Sequence, residues 1–222
     1  MINKGFLKLL IIIVLFFMAS KALADDIKSI GTPYLQNYSK ADYLADNQNW
    51  SIAKGKNGVM YFGNTEGLLT FDGKYWEQYK MPHKQIVRAV ATANDGTVYT
   101  GGFGEFGYWK MVDKHLKFFS LIKMLPKNHK LADEIWKIYV DGPKVFFQSF
   151  SSIYIYENNT IAVVKAPTPF LFLHKAGKRI IVEVLGKGLF ELKGTKLIPL
   201  IAAGAQIPTN LSSTLNNLIF GK

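Results

Sequence analysis

The chain has 222 residues, 49% of them hydrophobic, and carries 27 lysines and arginines against 16 acids, a net charge of +11. That apolar content excludes a disordered chain, and the lack of any cysteine excludes disulfides and thiolate metal sites, leaving packing alone to hold a fold together. The basic residues outside the first segment are scattered (Lys54, Lys56, Lys74, Lys80, Lys110, Lys114, Lys117), which describes a solvated basic surface and argues against a nucleic-acid patch.

Residues 1–24 have the layout of a secretory signal peptide. Lys4 and Lys8 give the positive start, Leu9 to Ala19 an apolar run of 11 residues, and Ala22-Leu23-Ala24 the small-x-small cleavage site before Asp25. A spanning helix needs about 20 apolar residues, so the run is too short to be one. Export with cleavage after Ala24 follows, and loss of Lys4, Lys8 and Lys21 lowers the net charge from +11 to +8. The periplasm is the expected location, and residues 25–48 form an extension in which Tyr34 to Tyr38 is a possible ring-closing strand.

From residue 49 onward, short apolar or alternating segments bounded by Gly, Asn and Asp replace any helical period. The dipeptides Asn57-Gly58, Asp72-Gly73, Asp95-Gly96 and Asp141-Gly142 have the composition of tight hairpin turns. Aligned on their first turns, Gly58, Gly96, Gly142 and Gly177 follow one another at 38, 46 and 35 residues. Each unit then offers four strands. First strands are Trp50 to Ala53, Ile86 to Ala91, Ile135 to Val140 and Phe170 to His174; second strands are Val59 to Phe62, Thr97 to Thr100, Val145 to Gln148 and Ile180 to Val184. Third strands are Leu68 to Phe71, Phe106 to Lys110, Ile153 to Tyr156 and Gly188 to Leu192; fourth strands are Tyr75 to Tyr79, Leu116 to Leu121, Thr160 to Lys165 and Lys196 to Ile201.

Four antiparallel strands in each such repeat make one blade of an all-β propeller. The blades fall at about 49–84, 85–130, 131–168 and 169–204, with an incomplete fifth at 205–222, so an N-terminal fragment of a larger propeller is expected. Radial stacking explains why inner strands such as Val145-Phe146-Phe147 are apolar on both faces. An unclosed ring leaves sheet edges and an apolar blade face free, which predicts poor solubility or self-association.

Within this frame, Pro33, Asn37-Tyr38-Ser39, Gln48-Asn49-Trp50, Gly58-Val59-Met60-Tyr61-Phe62-Gly63-Asn64, Gly67-Leu68-Leu69, Phe71-Asp72-Gly73 and Trp76 occur in an order and spacing that resemble the two-component-regulator type of propeller repeat. Such repeats form the exported sensor regions of hybrid two-component or helix-turn-helix signalling proteins of Bacteroidetes type. Gly101-Gly102-Phe103-Gly104-Glu105-Phe106-Gly107 keeps the glycines of the pattern, and Ser149-Phe150-Ser151-Ser152 replaces them. The resemblance implies an input module for an extracellular ligand, possible homodimerisation through the parent receptor, and membrane attachment and an output domain that this chain lacks.

Candidate ligand-binding residues lie in the connections between second and third strands: Asn64, Thr65, Glu66, Phe103, Glu105 and Ser151. No catalytic residue, metal or cofactor is expected, because His83, His115, His129 and His174 occupy unrelated blade positions without ligand spacing. The glycines of Gly101 to Gly107 lack the Lys-Ser/Thr pair and helix of a phosphate loop. Trp50 and Trp136 occupy equivalent first-strand positions and read as interblade core, whereas Trp76 and Trp109 read as more exposed. Rival readings are a periplasmic or secreted propeller enzyme acting on glycans, with acidic, His or Tyr side chains meeting at the axis, a structural scaffold, and a truncated fragment without function.

Overall fold

A computed structural model describes Gly5 and residues 35–202. Apart from Gly5, the expected signal peptide lies outside the described residues, as does the expected incomplete fifth blade.

Among the described residues, sixteen strands form four separate sheets, each an antiparallel meander in strict chain order. The first blade comprises β1 (Asn49–Lys54), β2 (Met60–Asn64), β3 (Gly67–Phe71) and β4 (Trp76–Tyr79). The second comprises β5 (Ala89–Thr92), β6 (Val98–Gly101), β7 (Phe106–Val112) and β8 (His115–Ser120). The third is β9 (Lys137–Asp141), β10 (Lys144–Gln148), β11 (Ser152–Glu157) and β12 (Thr160–Lys165), and the fourth β13 (Phe170–Ala176), β14 (Arg179–Val184), β15 (Gly188–Lys193) and β16 (Lys196–Ala202). Every strand predicted for the four blades is present, though β5 and β9 begin later than the sequence suggests. Of their leading residues, Val87 and Ile135 bond to the preceding blade, as described below, while Arg88 and Trp136 donate to the Gly101 and Gln148 carbonyls of their own blades.

Blades meet chiefly through their first strands, β1 against β5, β5 against β9 and β9 against β13, which places these strands innermost. The core is correspondingly divided among three blade junctions. Leu68, Met81, Val87, Val98 and Trp109 fill the first, Phe106, Ile135, Val145, Phe147 and Tyr154 the second, and Phe146, Ile153, Ile155, Phe170 and Val182 the third. The period of β structure accounts for the apolar runs. Along β10, Val145 and Phe147 turn to the second junction while Phe146 turns to the third.

The blades' two ends differ. At one end lie the hairpins joining first to second and third to fourth strands, where Gly58 and Gly96 take φ of 81° and 87°, as the Asn-Gly and Asp-Gly signals require. The other end, here the rim, carries the second-to-third connections and the segments that lead from blade to blade.

Two expectations are corrected. Leu35 to Tyr38 is not a strand; Tyr38 instead sets its ring edge-on against Phe71 and Trp76, with a single helical turn, Lys40–Tyr43, following it. The tryptophans are inverted: Trp109 is 3% exposed, donating Nε1 to Thr100 Oγ1 at 2.8 Å, while Trp50 and Trp136 are 37% and 36% exposed. Trp76 is half-buried, stacked on Phe71 at 4.5 Å between ring centres.

Candidate functional site on the blade rim

In the first three blades the second-to-third connection bonds forward to the segment leading into the next blade. The Asn64 carbonyl accepts the Val87 N–H at 3.0 Å, that of Gly102 accepts Ile135 at 3.1 Å, and that of Phe150 accepts Phe170 at 2.8 Å. In the second blade the approach leaves no room for side chains. A Cβ on Gly101 would stand 2.6 Å from Ile135 Cβ, and one on Gly102 would run into the Ile86 carbonyl oxygen. Gly101, Gly102 and Gly107 thus have a packing role, and Gly104 a turn conformation at φ 67°.

This stitching sets the register of the lead-in residues. Ser51 pairs with Gly63, Ala89 with Gly101 and Lys137 with Gln148, so Trp50, Arg88 and Trp136 occupy the same position in three successive blades. Trp50 lies at a β-bulge between Asn49 and Ser51, and Phe172 lies within the comparable irregularity of β13 between Phe170 and Leu173. A bulge re-aims the side chain of the extra residue, and Phe172 is 61% exposed.

The three equivalent residues interact. The Arg88 guanidinium carbon lies 3.6 Å from the Trp50 ring centre and 5.3 Å from that of Trp136, within cation–π range of both. Arg88 Nε donates to Glu134 Oε1 at 3.0 Å, and Trp50 Nε1 donates to Thr65 Oγ1 at 3.2 Å. Arg88 Nη1 is buried with no protein acceptor among the described residues. The Trp136 ring continues the row to Phe150 at 5.5 Å between ring centres. Beyond it opens a cavity of about 370 Å³ between the third and fourth blades, lined by Trp136, Lys137, Gln148, Phe150, Phe172 and His174 among others.

Larger grooves lie at the hairpin end, about 630, 650 and 440 Å³, one at each of the three blade junctions and bordered by hairpin-turn residues. Their recurrence makes them a product of wedge-shaped stacking. The rim cavity differs from them in its aromatic walls.

The structure places the six predicted site residues at the rim with different tasks. Asn64 is wholly buried: Nδ2 donates to the Asp46 carbonyl at 2.7 Å and to Asn49 Oδ1 at 2.8 Å, and Oδ1 accepts from Glu66 N–H at 2.9 Å. Thr65 anchors Trp50, and Glu66 accepts from Gln78 Nε2 at 3.1 Å. Phe103 is exposed and bridges to Glu134. Glu105 turns inward, accepting from the Ser120 hydroxyl at 2.7 Å and the Phe106 N–H at 3.0 Å, and burial pushes its carboxyl above the usual range. Ser151 donates its N–H to Asp133 Oδ2 at 2.9 Å. Thr65 and, through Glu134, Phe103 adjoin the aromatic row; Asn64 and Glu105 brace loops. Trp50, Arg88, Trp136 and Phe172 were missed as a surface. The signal lay in the equivalence of Trp50 and Trp136, which the shared register extends to Arg88.

No protein-family profile matches the sequence, and no curated protein matches it either. Among solved structures it is similar to the WD40 β-propeller domain of Doa1, at 7% identity and a TM-score of 0.54, over 68% of this chain and 53% of that one. The fold is a β-propeller. It is also similar to the extracellular domain of the putative one-component system BT4673 from B. thetaiotaomicron (12% identity, TM-score 0.53, 71% of this chain and 22% of that one). The extracellular domain of the putative hybrid two-component system BT3049 from the same organism gives 10% identity and a TM-score of 0.54, over 78% of this chain and 24% of that one. These neighbours agree with the resemblance carried by the opening repeat. At such identities the likeness concerns the fold, and the chain spans about half or less of the length of each.

Proposed function

We propose that this propeller is the exported input module of a bacterial signalling receptor and that its ligand engages the rim. The observation carrying the proposal is the row of Trp50, Arg88 and Trp136 from successive blades, in which two partly exposed indole rings flank a largely buried guanidinium. Aromatic faces and an arginine are the groups that supply most binding energy at recognition sites. The extracellular domains of two-component systems among the neighbours, together with the signal peptide expected at residues 1–24, support a periplasmic setting. An extracellular glycan is one ligand class that stacks on such rings. Binding there would change how the module packs against a second copy or against its downstream domain, biasing a two-state receptor.

A non-catalytic role accompanies this reading. Around the row, Glu134 holds Arg88, Asp133 holds the Ser151 N–H and Glu105 braces its loop, so these carboxylates have structural partners.

The test is expression of the full chain in a Gram-negative host, followed by thermal-shift titration of the exported protein against saccharides and small acids. A periplasmic product starting at Asp25, stabilised by at least one compound class and no longer stabilised after Trp50→Ala, is the expected result. A cytoplasmic, unprocessed product, or stabilisation unaffected by Trp50→Ala, would overturn it.

A further inference from the structure

We propose that the cavity between the third and fourth blades binds a hydroxylated six-membered ring that carries a carboxylate. This deepens the preceding reading, on which it rests, by giving one rim cavity a ligand class. At about 370 Å³ the cavity lies toward the small end of small-molecule sites, large enough for a single ring with its substituents.

Its walls decide the ring. Trp136 and Phe150, 5.5 Å apart and tilted at 49°, form one side, and Phe172, thrown outward by the irregularity in β13, stands on the other. Flat or chair-shaped rings present faces that such walls cover, whereas an extended chain would leave them wet.

Its polar groups decide the substituents. Gln148 is 1% exposed and lines the cavity; its Nε2 is committed to the Ser149 carbonyl at 2.9 Å, while among the described residues its Oε1 accepts no hydrogen bond. An acceptor with no protein donor that stays accessible from the cavity is open to a hydroxyl from the ligand. The titratable side chains lining the cavity are Lys137 and His174, and none of the lining residues is an aspartate or glutamate. Lys137 Nζ lies 5.5 Å from the Tyr139 ring centre, and the His174 ring lies 6.2 Å from that of Phe172. An aromatic enclosure that takes cationic ligands does so by cation–π attraction, and a lysine at its wall opposes that. The same lysine favours a carboxylate.

Hydroxyaromatic acids and uronic acids share this chemistry. Titration of the full-length protein by Trp fluorescence with 4-hydroxybenzoate, benzoate, glucuronate, glucose and choline separates the sources. At least one hydroxylated acid is expected to bind, at least tenfold more tightly than its partner lacking the hydroxyl or the carboxylate. Preference for 4-hydroxybenzoate over glucuronate assigns an aromatic source, and the reverse a sugar acid. Phe172→Ala, at an exposed position, is expected to weaken binding at least tenfold, and Lys137→Gln to weaken the acid tenfold while leaving glucose unchanged. Equal binding of acid and neutral rings, tighter binding of choline, or no change in Lys137→Gln would overturn the proposal. If the acids fail while another compound binds and is lost in Trp50→Ala, this proposal falls and the rim reading stands; if nothing binds, both fall.

Discussion

The two ends of the blades solve different problems. At the hairpin end, turns are closed by local bonds: Asp72 Oδ1 accepts the N–H groups of Lys74 and Tyr75 at 2.8 and 2.7 Å, and Asp95 Oδ1 accepts that of Thr97 at 2.9 Å. Contacts between blades there come from side chains, Thr92 Oγ1 to the Lys54 carbonyl at 2.9 Å and Lys175 to Asp141 at 2.9 Å. At the rim, backbone carbonyls of one blade bind backbone N–H groups of the next, and glycines permit the approach. Damage at the hairpin end should stay within one hairpin, and damage at the rim should spread across a junction.

The largest effect is expected from Gly102→Val. A branched side chain there collides with the Ile86 carbonyl on one side of the bond that holds the third blade. Overpacking of this kind costs about 3 kcal/mol, and thermal unfolding followed by near-UV circular dichroism should show a large fall in Tm. A change no larger than that of a hairpin substitution would break the distinction between the ends.

Asn64→Ala comes next. It removes three hydrogen bonds of a fully buried side chain and orphans the Asp46 carbonyl and the Glu66 N–H, at a cost of about 2 kcal/mol. Chemical denaturation should report it, with the m-value unchanged.

Glu105→Gln sharpens the comparison through pH. Burial raises the carboxyl of Glu105, so the folded chain holds its proton to higher pH than the unfolded chain does. The stability this provides is present at low pH and is lost as pH rises from the usual glutamate range through the raised folded value. Glutamine keeps an oxygen for the Ser120 hydroxyl and the Phe106 N–H without the poorly hydrated charge. Its Tm should therefore exceed that of the parent at pH 7 and converge with it toward pH 4; a gain that persists at pH 4 would remove the explanation.

Much of the hairpin end was legible because a turn is decided by the residues within it. Asn-Gly and Asp-Gly pairs and the strands flanking them marked the turns of three blades, and Gly177 that of the fourth. The rim was less legible because its bonds join residues far apart in sequence: Val87 and Ile135 have strand-like composition and are held by carbonyls of the preceding blade. The tryptophans show the same limit. A strand apolar on both faces gives no period from which to tell core from surface, so Trp109, held under Tyr79 of the first blade at 5.9 Å between ring centres, and Trp136 were assigned the wrong way round. For Trp50 a bulge intervenes, which composition does not announce.

The smallest effect tests how far the local rule extends. The third-to-fourth turn of the second blade is built from Asp113 and Lys114, with φ of 51° and 66°, without a glycine. Lysine in the left-handed region is strained by its Cβ, so Lys114→Gly should relieve strain but add freedom to the unfolded chain, for a net gain of about 0.5 kcal/mol. Because the bonds of this hairpin are its own, the gain should appear without altering the unfolding cooperativity or the rim ligand affinity. A change in either would mean that strain at the hairpin end is transmitted along the strands to the rim, and the separation of the two ends would fail where it is most easily measured.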